Sequence, residues 1–391
     1  MAGTQIYLDY NASTPCDPRV VDAMLPFFGE VFANPASRSH RPGQRAFAAL
    51  EEARARTAAA LGARSATEIT FTSGATEGNN QVLVGVARAL ELRGRHLITQ
   101  ATEHAAVLEP LRALERQGWE LTSLGVDREG RIRLDELAAA LRPDTALVSL
   151  MLANNETGTI QPVAEASALA HQHGAVLHCD AAQGPGKTPV DAAALAVDFL
   201  TVSAHKVYGP KGVGALFRAR RTPAFRLPAL LCGGGQEEGL RSGTPNLPGA
   251  VGLAAALEIA TGDLQAEMGR LGGLRDRLER QILERLDGCT VNGAGDQRLP
   301  GTTNISFAGI DGNALLASLS DLAVSSGSAC TSGAPEPSTV LRAMGVNRRL
   351  AAASLRFSLG RPTTADDVDR AADRVIAEVT RLRSTLRSSR R

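Results

Sequence analysis

Val176-Leu177-His178-Cys179-Asp180-Ala181-Ala182-Gln183 is a strand-like apolar run that ends on a carboxylate, and Asp198-Phe199-Leu200-Thr201-Val202-Ser203-Ala204-His205-Lys206 is a second that ends in a polar cluster. Their ends lie 26 residues apart, a separation that suits a strand, a crossover helix and a parallel strand beside the first. Working outward, similar runs recur at Glu68–Ser73, His96–Gln100, Glu120–Val126, Thr145–Asn154 and Val213–Phe217, with amphipathic stretches at Thr76–Leu92, His104–Gln117 and Pro162–His173 between most of them. Near-continuous apolar strands alternating with helices predict an α/β fold with a mainly parallel sheet covered on both faces, in which ligands bind beyond the carboxyl ends of the strands. Asp180 and Lys206 are then neighbours at one such end.

The pattern changes after Gly233-Gly234-Gly235 and Pro248, where one long Ala/Leu/Arg/Glu helix is predicted to run to about Leu286 as a domain connector. Asn304–Ile310, Ala323–Ser326 and Leu355–Leu359, separated by helices, read as a smaller α+β domain. The expected division is a large domain over 16–261 and a small one formed by 1–15 and 262–391. No internal repeat or extended low-complexity segment interrupts it.

Composition narrows the function. Lys plus Arg number 42 against 41 Asp plus Glu, which offers no overall attraction to nucleic acid or to an anionic membrane. Only Arg381 to Arg391 is lopsided, with five arginines and no acid. Cys16, Cys179, Cys232, Cys289 and Cys330 are odd in number, widely spaced and never in a C-x-x-C arrangement, which argues against disulfides and structural zinc. The chain enters a strand-like Ile6–Tyr10 almost at once, and no apolar run is long enough to span a bilayer, so cytoplasmic residence is the expectation.

A carboxylate at the end of a buried strand costs energy unless its charge meets a partner. Alone, Asp180 reads as a helix cap and Lys206 as a solvated surface residue. Together they are the pair that pyridoxal phosphate chemistry needs, an acid on the ring nitrogen and an amine on the aldehyde. Phe71-Thr72-Ser73-Gly74-Ala75-Thr76-Glu77-Gly78 sets a glycine and hydroxyls between a strand and a helix start, where free N–H groups attract a phosphate; Thr76 is also a candidate helix cap. Ser203 and His205 stand ready as further donors. Far along the chain, Ser325-Ser326-Gly327-Ser328-Ala329-Cys330-Thr331-Ser332-Gly333 is a run of small residues around one thiol, the composition of a loop whose thiol can approach more than one reaction centre.

These residues together resemble the cysteine desulfurases of the class V aminotransferase group, on the fold-type-I pyridoxal phosphate scaffold. The resemblance runs from Tyr7-Leu8-Asp9-Tyr10-Asn11-Ala12-Ser13-Thr14-Pro15 through Asn34-Pro35-Ala36-Ser37, Ser73-Gly74-Ala75-Thr76-Glu77 and Ala153-Asn154-Asn155-Glu156-Thr157-Gly158. It continues over Ser203 to Gly212, Arg241-Ser242-Gly243-Thr244 and the Cys330 run followed by Glu336-Pro337-Ser338. The resemblance implies that Lys206 holds the cofactor aldehyde, Asp180 the ring nitrogen and Gln183 the ring hydroxyl, with His104 stacked on the ring. It implies that Ala75, Thr76, Ser203 and His205 hold the phosphate, joined by Thr244 from the second subunit of a homodimer. Asn155 and Arg356 would orient the substrate L-cysteine. For Arg356 the residues agree, since Leu355, Phe357 and Leu359 alternate as one face of a strand and turn the guanidinium to the other.

In that family a thiolate matching Cys330 takes the sulfur of cysteine as a persulfide, releases alanine, and passes the sulfur to an iron–sulfur scaffold or another acceptor protein. No intrinsic metal is expected, a transient iron–sulfur ligand role for Cys330 aside. Two departures stand out. The chain ends soon after a helix reaching about Leu386, without the longer extension that housekeeping members use to grip a scaffold, and Pro185 stands in Gln183-Gly184-Pro185-Gly186-Lys187 where a different small residue is expected. A selenocysteine lyase or an aminotransferase on the same scaffold is the alternative, and neither needs a thiol at position 330.

Overall fold

Seven strands form the main sheet of the computed structural model, which describes residues 5–220, 226–326 and 337–388. In chain order the strands are β1 (Ile6–Tyr7), β2 (Ile69–Thr72), β3 (His96–Gln100), β4 (Glu120–Leu124), β5 (Thr145–Met151), β6 (Val176–Asp180), β7 (Phe199–Ser203), β8 (Gly214–Arg218), β9 (Cys289–Asn292), β10 (Thr302–Phe307), β11 (Leu322–Ala323) and β12 (Ser354–Ser358). The main sheet runs β2-β8-β7-β6-β5-β3-β4. From β7 through β4 every pairing is parallel, and β8 is antiparallel to both of its neighbours. Every residue of β3, β5, β6 and β7 is buried, which is what continuous apolar runs require of a sheet covered on both faces.

One face packs Leu150, Leu177 and Leu200 among the residues that also bury the helix Leu247–Gly262, while Val82, Leu83, Val107 and Leu111 from the helices Ala75–Leu90 and Ala105–Glu115 form a second cluster with Phe199 and Leu216. In register, β6 lies against β7 with Asp180 opposite Thr201. The two polar strand ends that the sequence singles out therefore emerge side by side.

A separate three-stranded antiparallel sheet, β12-β10-β9, has its own apolar cluster of Leu278, Ile282, Ile305, Phe307, Leu355, Phe357 and Val375. The N-terminal strand belongs with it, since Ile6 and Leu8 join that cluster and β1 pairs in parallel with β11. Beyond Asp9, which bridges Ser358, the chain crosses to the main sheet, where the Thr14 amide donates to His205 O. Residues 11–14 thus span the gap between the two bodies.

Two expected helices differ in the structure: among the described residues no helix forms between β6 and β7, where Gly184-Pro185-Gly186 and Pro189 interrupt the chain, and the connector is not a single helix. Two helices, Leu247–Gly262 and Leu264–Arg285, meet at Asp263 with a 72° bend. The first is apolar nearly all round, buries eleven residues and packs into the larger cluster, against the helices Arg41–Ala60 and Pro18–Met24; the second is amphipathic and presents Leu271, Leu278 and Ile282 to the smaller cluster. A straight helix could not bury both surfaces in two separate cores, and the Gly262-Asp263 pair allows the turn. Among the described residues no single helix is long and apolar enough to cross a membrane.

Two glycines shape the region where the sheet meets the ligand cavity. Gly74, at φ 152° and ψ 178°, occupies a backbone region essentially closed to other residues and heads the helix Ala75–Leu90 without any side-chain cap. Thr76 is therefore inside the helix and not its cap. Gly214 begins β8, and a Cβ there would lie 2.4 Å from Val202 O and 2.7 Å from Gly74 Cα. Both are backbone atoms fixed by the sheet and the turn, so Gly214→Ala should destabilise the protein by about 1–3 kcal/mol. Urea unfolding measures it, and an unchanged midpoint would contradict the packing described.

Candidate active site

Asp180 ends β6 with its carboxylate inside the protein and fully partnered by neutral donors. Asn79 Nδ2 donates to Oδ2 at 2.7 Å and the Ala182 amide to Oδ1 at 3.0 Å. Asn79 is held in turn by the Thr201 hydroxyl, which donates to its Oδ1 at 2.5 Å from the neighbouring strand β7. With no basic side chain in this set, the carboxylate is left open to a cationic group brought into the cavity.

That cavity, of about 600 Å³, opens at the carboxyl ends of the strands. Its walls bring together Ala75, Thr76, His104, Asn155, Asp180, Gln183, Ser203, His205, Lys206 and Arg356. Lys206 Nζ donates to Asn11 O at 2.7 Å and to Ala12 O at 2.8 Å, so the 11–14 crossing holds the amine over the cavity floor. His104 caps the helix Ala105–Glu115 by accepting from the Ala106 amide at its Nδ1, which leaves the other face of the ring to the cavity. Burial lowers its pKa, with Lys206 acting in the same direction and Asp180 opposing. His205 is pushed down to about 4 by burial and by Lys206, Lys211 and Lys187. Neutral imidazoles therefore face the cavity at neutral pH.

Arg356 leaves β12 on the face opposite Leu355 and Phe357, as the alternation predicts. Nη1 donates to Asn155 O at 2.9 Å and Nη2 to Asp9 Oδ1 at 2.6 Å, while Nε is buried with no hydrogen-bond partner. A guanidinium so held, with donor capacity left, suits a small carboxylate. Its strand also touches the flank of the thiol segment, because Ser325 and Arg356 exchange two backbone hydrogen bonds. On the other flank, the Ser338 hydroxyl donates to Glu156 Oε2 at 2.5 Å, next to Asn155. Cys330 itself lies outside the described residues.

The donor set fits a group with an anionic end, a basic ring nitrogen and an electrophilic carbon. The uncapped N–H groups at Ala75 and Thr76, with the Thr76 and Ser203 hydroxyls, suit the first; Asp180 suits the second; the Lys206 amine suits the third. Thr244 is exposed and stands apart from the cavity of its own chain.

Three residues that the sequence reading did not single out complete the site. Asn79 holds Asp180. Asn11 is a hub: its carbonyl accepts from Lys206 and Gln183, its Nδ2 donates to Asn155 O and Thr302 Oγ1, and its amide donates to Ser358 Oγ. Glu103, next to His104, is wholly buried behind Asp180, its Oε1 accepting from the Met151 amide and from Gln100 Nε2. No local pattern marks any of them; only Asn11 falls within a segment that carries the resemblance, Tyr7 to Pro15.

Burial pushes the Glu103 carboxyl up to about 8, and the nearby charge of Asp180 adds to the effect. In the unfolded chain the same group ionises near its ordinary 4.5, so the folded state holds a proton that the unfolded state loses. The stability this proton represents is full below that ordinary value and is lost as the pH rises through the folded one. Glu103→Gln removes the ionisation while keeping an acceptor for both partners. Relative to wild type, the variant should gain about 1–3 kcal/mol between roughly pH 5 and pH 8. Urea midpoints at the two pH values test this, and a difference that does not change with pH would refute it.

Comparison with known proteins places this geometry in a class. Residues 6–371 match the family described as Aminotransferase class-V, and the chain belongs to that family. Within it, the chain is 52% identical over 364 residues to a protein named Cysteine desulfurase IscS from Anaeromyxobacter dehalogenans, covering 93% of this chain and 90% of that one. It is 48% identical to the Cysteine desulfurase of Mus musculus over 97% of this chain and 82% of that protein. Among solved structures, one titled NIFS-LIKE PROTEIN superposes with a TM-score of 0.90 at 38% identity, covering 97% of this chain and 100% of that one. The α/β architecture and the mostly parallel sheet are those of that fold.

Proposed function

We propose that the chain is a pyridoxal-phosphate-dependent cysteine desulfurase, converting L-cysteine to L-alanine and holding the released sulfur as a persulfide on Cys330. The observation that carries the reading is the convergence of Lys206, Asp180, His104, Arg356 and the uncapped start of the helix Ala75–Leu90 on one cavity. In this reading Asp180 holds the ring nitrogen, Gln183 the ring oxygen and His104 the ring face. Lys206 holds the aldehyde carbon, and Ala75, Thr76, Ser203 and His205 hold the phosphate. When bound, the cofactor supplies an electron sink for the substrate's carbon skeleton.

The protein's own residues do the rest. Arg356 grips the substrate carboxylate, with Asn155 beside it, and so fixes which way the side chain points. Lys206 Nζ, released from Asn11 O and Ala12 O, carries protons to and from the substrate's carbon atoms. Cys330 Sγ bonds to the substrate sulfur as the carbon–sulfur bond breaks. The exchange balances without an outside oxidant: two thiols become one persulfide and one methyl group.

The reading extends to a homodimer, supported by the exposed Val21, Leu25, Phe28 and Phe32 on one stretch of surface and by Thr244 standing apart from its own cavity. It includes the division into 16–261 and 1–15 with 262–391, which the separate apolar clusters support. Residence in the cytoplasm fits the free state of all four described cysteines, Cys16, Cys179, Cys232 and Cys289. An iron–sulfur scaffold or other acceptor protein receives the sulfur.

The direct experiment incubates the cofactor-loaded protein with L-cysteine and measures alanine and reducible sulfur in equal amounts. Amino-group transfer to a keto acid, leaving mercaptopyruvate with its sulfur still in place, would replace this reading by an aminotransferase. A narrower prediction concerns Arg356→Lys. An ammonium cannot reproduce a bidentate grip, so kcat/KM for cysteine should fall about 10- to 100-fold while the visible cofactor band stays unchanged. Unaltered kinetics would remove Arg356 from the substrate site.

A further inference from the structure

Behind the two amides that frame the cavity, Asn11 and Gln183, stands an amine that does not itself line it. Lys187 Nζ donates to Asn11 Oδ1 at 2.9 Å and to Gln183 Oε1 at 2.5 Å. We propose that Lys187 is a positioning residue that fixes the orientation of both amides, so that Gln183 offers the cavity an N–H and never its carbonyl. The inference rests on the reading of the cavity as a pyridoxal phosphate site and adds a residue that this reading does not use.

The argument follows from donor and acceptor counts. A lysine nitrogen that makes two such bonds spends two N–H groups, so both partners must turn their oxygens toward it. Gln183 Oε1 is thereby committed away from the ligand. Gln183 Nε2 carries two hydrogens; one goes to Asn11 O at 2.9 Å, and the other is left for an acceptor in the cavity. Asn11 is pinned the same way, its Oδ1 on Lys187 and its Nδ2 on Asn155 O and Thr302 Oγ1, which steadies the carbonyl that receives Lys206. Without Lys187 the Gln183 carbonyl would be left buried and unpaired, and only the Nε2 bond to Asn11 O would still oppose rotation of the amide.

The chemistry of Lys187 suits a donor more than a charge. Both of its partners are neutral amides. Burial and the positive charges of Lys206 and Arg356 push its pKa well below the usual lysine range, with Asp9 alone opposing. The uncharged amine keeps two N–H groups, so its hold on the amides survives the loss of the proton.

The test reads the pH titration of the cofactor's visible absorbance in the purified holoenzyme, without substrate. A donor on the ring oxygen favours its anionic form, so loss of that donor makes the oxygen more basic. Lys187→Met should raise the titration midpoint by about 0.5–1 pH unit. Lys187→Gln, which keeps an N–H donor and has no charge, should stay within about 0.2 unit of wild type by the same reasoning. In a Gln183→Ala background, Lys187→Met should add no shift. Equal shifts in the Met and Gln variants, no shift in either, or a shift that persists without Gln183 would overturn the proposal. A wild-type protein that takes up no cofactor would instead remove the reading of the site beneath it, and a normal wild-type band keeps the two failures apart.

Discussion

Lys206→Ala should fold, bind free pyridoxal phosphate weakly and turn over cysteine at least about a thousandfold more slowly than wild type, because one side chain supplies both the covalent anchor and the proton carrier. The folded state should survive. Lys206 makes its visible bonds to the backbone carbonyls of Asn11 and Ala12, and Asn11 O keeps a donor in Gln183 when the amine is gone. Two other amines stand close enough to compete for the role. Lys211 lines the cavity, and Lys187 lies behind it but is held by Asn11 and Gln183. Borohydride reduction of the yellow wild-type protein, followed by peptide mapping, separates them: the pyridoxyl group should sit on Lys206. Its appearance on Lys211 or Lys187, or substantial turnover by Lys206→Ala, would show that the wrong amine has been assigned.

Asp180 and Lys206 were legible because the signal that places them is long. Two apolar runs, each buried at every position, can only be interior strands, and a crossover of the observed length makes them parallel neighbours whose polar ends coincide. Arg356 was legible for the same reason, since a period of two assigns it a face without any knowledge of what lies opposite. The bend at Asp263 was not, although its cause is in the chain. Propensity sees a continuous helix there, whereas the change from an apolar cylinder to an amphipathic one tells of two cores competing for the two halves. Asn11, Asn79 and Lys187 were hidden more deeply. Asn79 reaches Asp180 across 101 residues and Lys187 reaches Asn11 across 176, and contacts of that range leave no periodic mark on the sequence around them. Polar side chains are what any turn or helix start contains; their meaning here comes only from the tertiary meeting of strand ends with the helix Ala75–Leu90 and the 11–14 crossing.

Cys330→Ser should leave cofactor and substrate binding intact and abolish sulfur transfer, separating the two chemical tasks. Binding depends on Lys206, Asp180, Arg356 and the uncapped helix start, none of which needs the thiol. The spectral change on mixing with cysteine should therefore persist. Alanine and sulfide formation should fall by roughly a thousandfold or more, because a hydroxyl near pH 7 is a far weaker nucleophile toward sulfur than a thiolate. Position 330 lies outside the described residues, but its neighbours give the expectation a structural footing: Ser325 pairs with Arg356 on one flank and Ser338 bonds to Glu156 on the other, so both ends of the segment are tied to residues at the substrate end of the cavity. The remaining cysteines make poor substitutes. Cys179 is wholly buried, with its pKa raised by that burial and by Asp180, and it packs into the apolar cluster under the sheet. Burial also raises the thiols of Cys16 and Cys289. Mass spectrometry of wild-type protein after brief exposure to cysteine, without reductant, should find one added sulfur on the Cys330 peptide and none elsewhere. Full turnover by Cys330→Ser, or sulfur mapped to the exposed Cys232, would mean that the cavity is correctly built but delivers its sulfur to a different thiol.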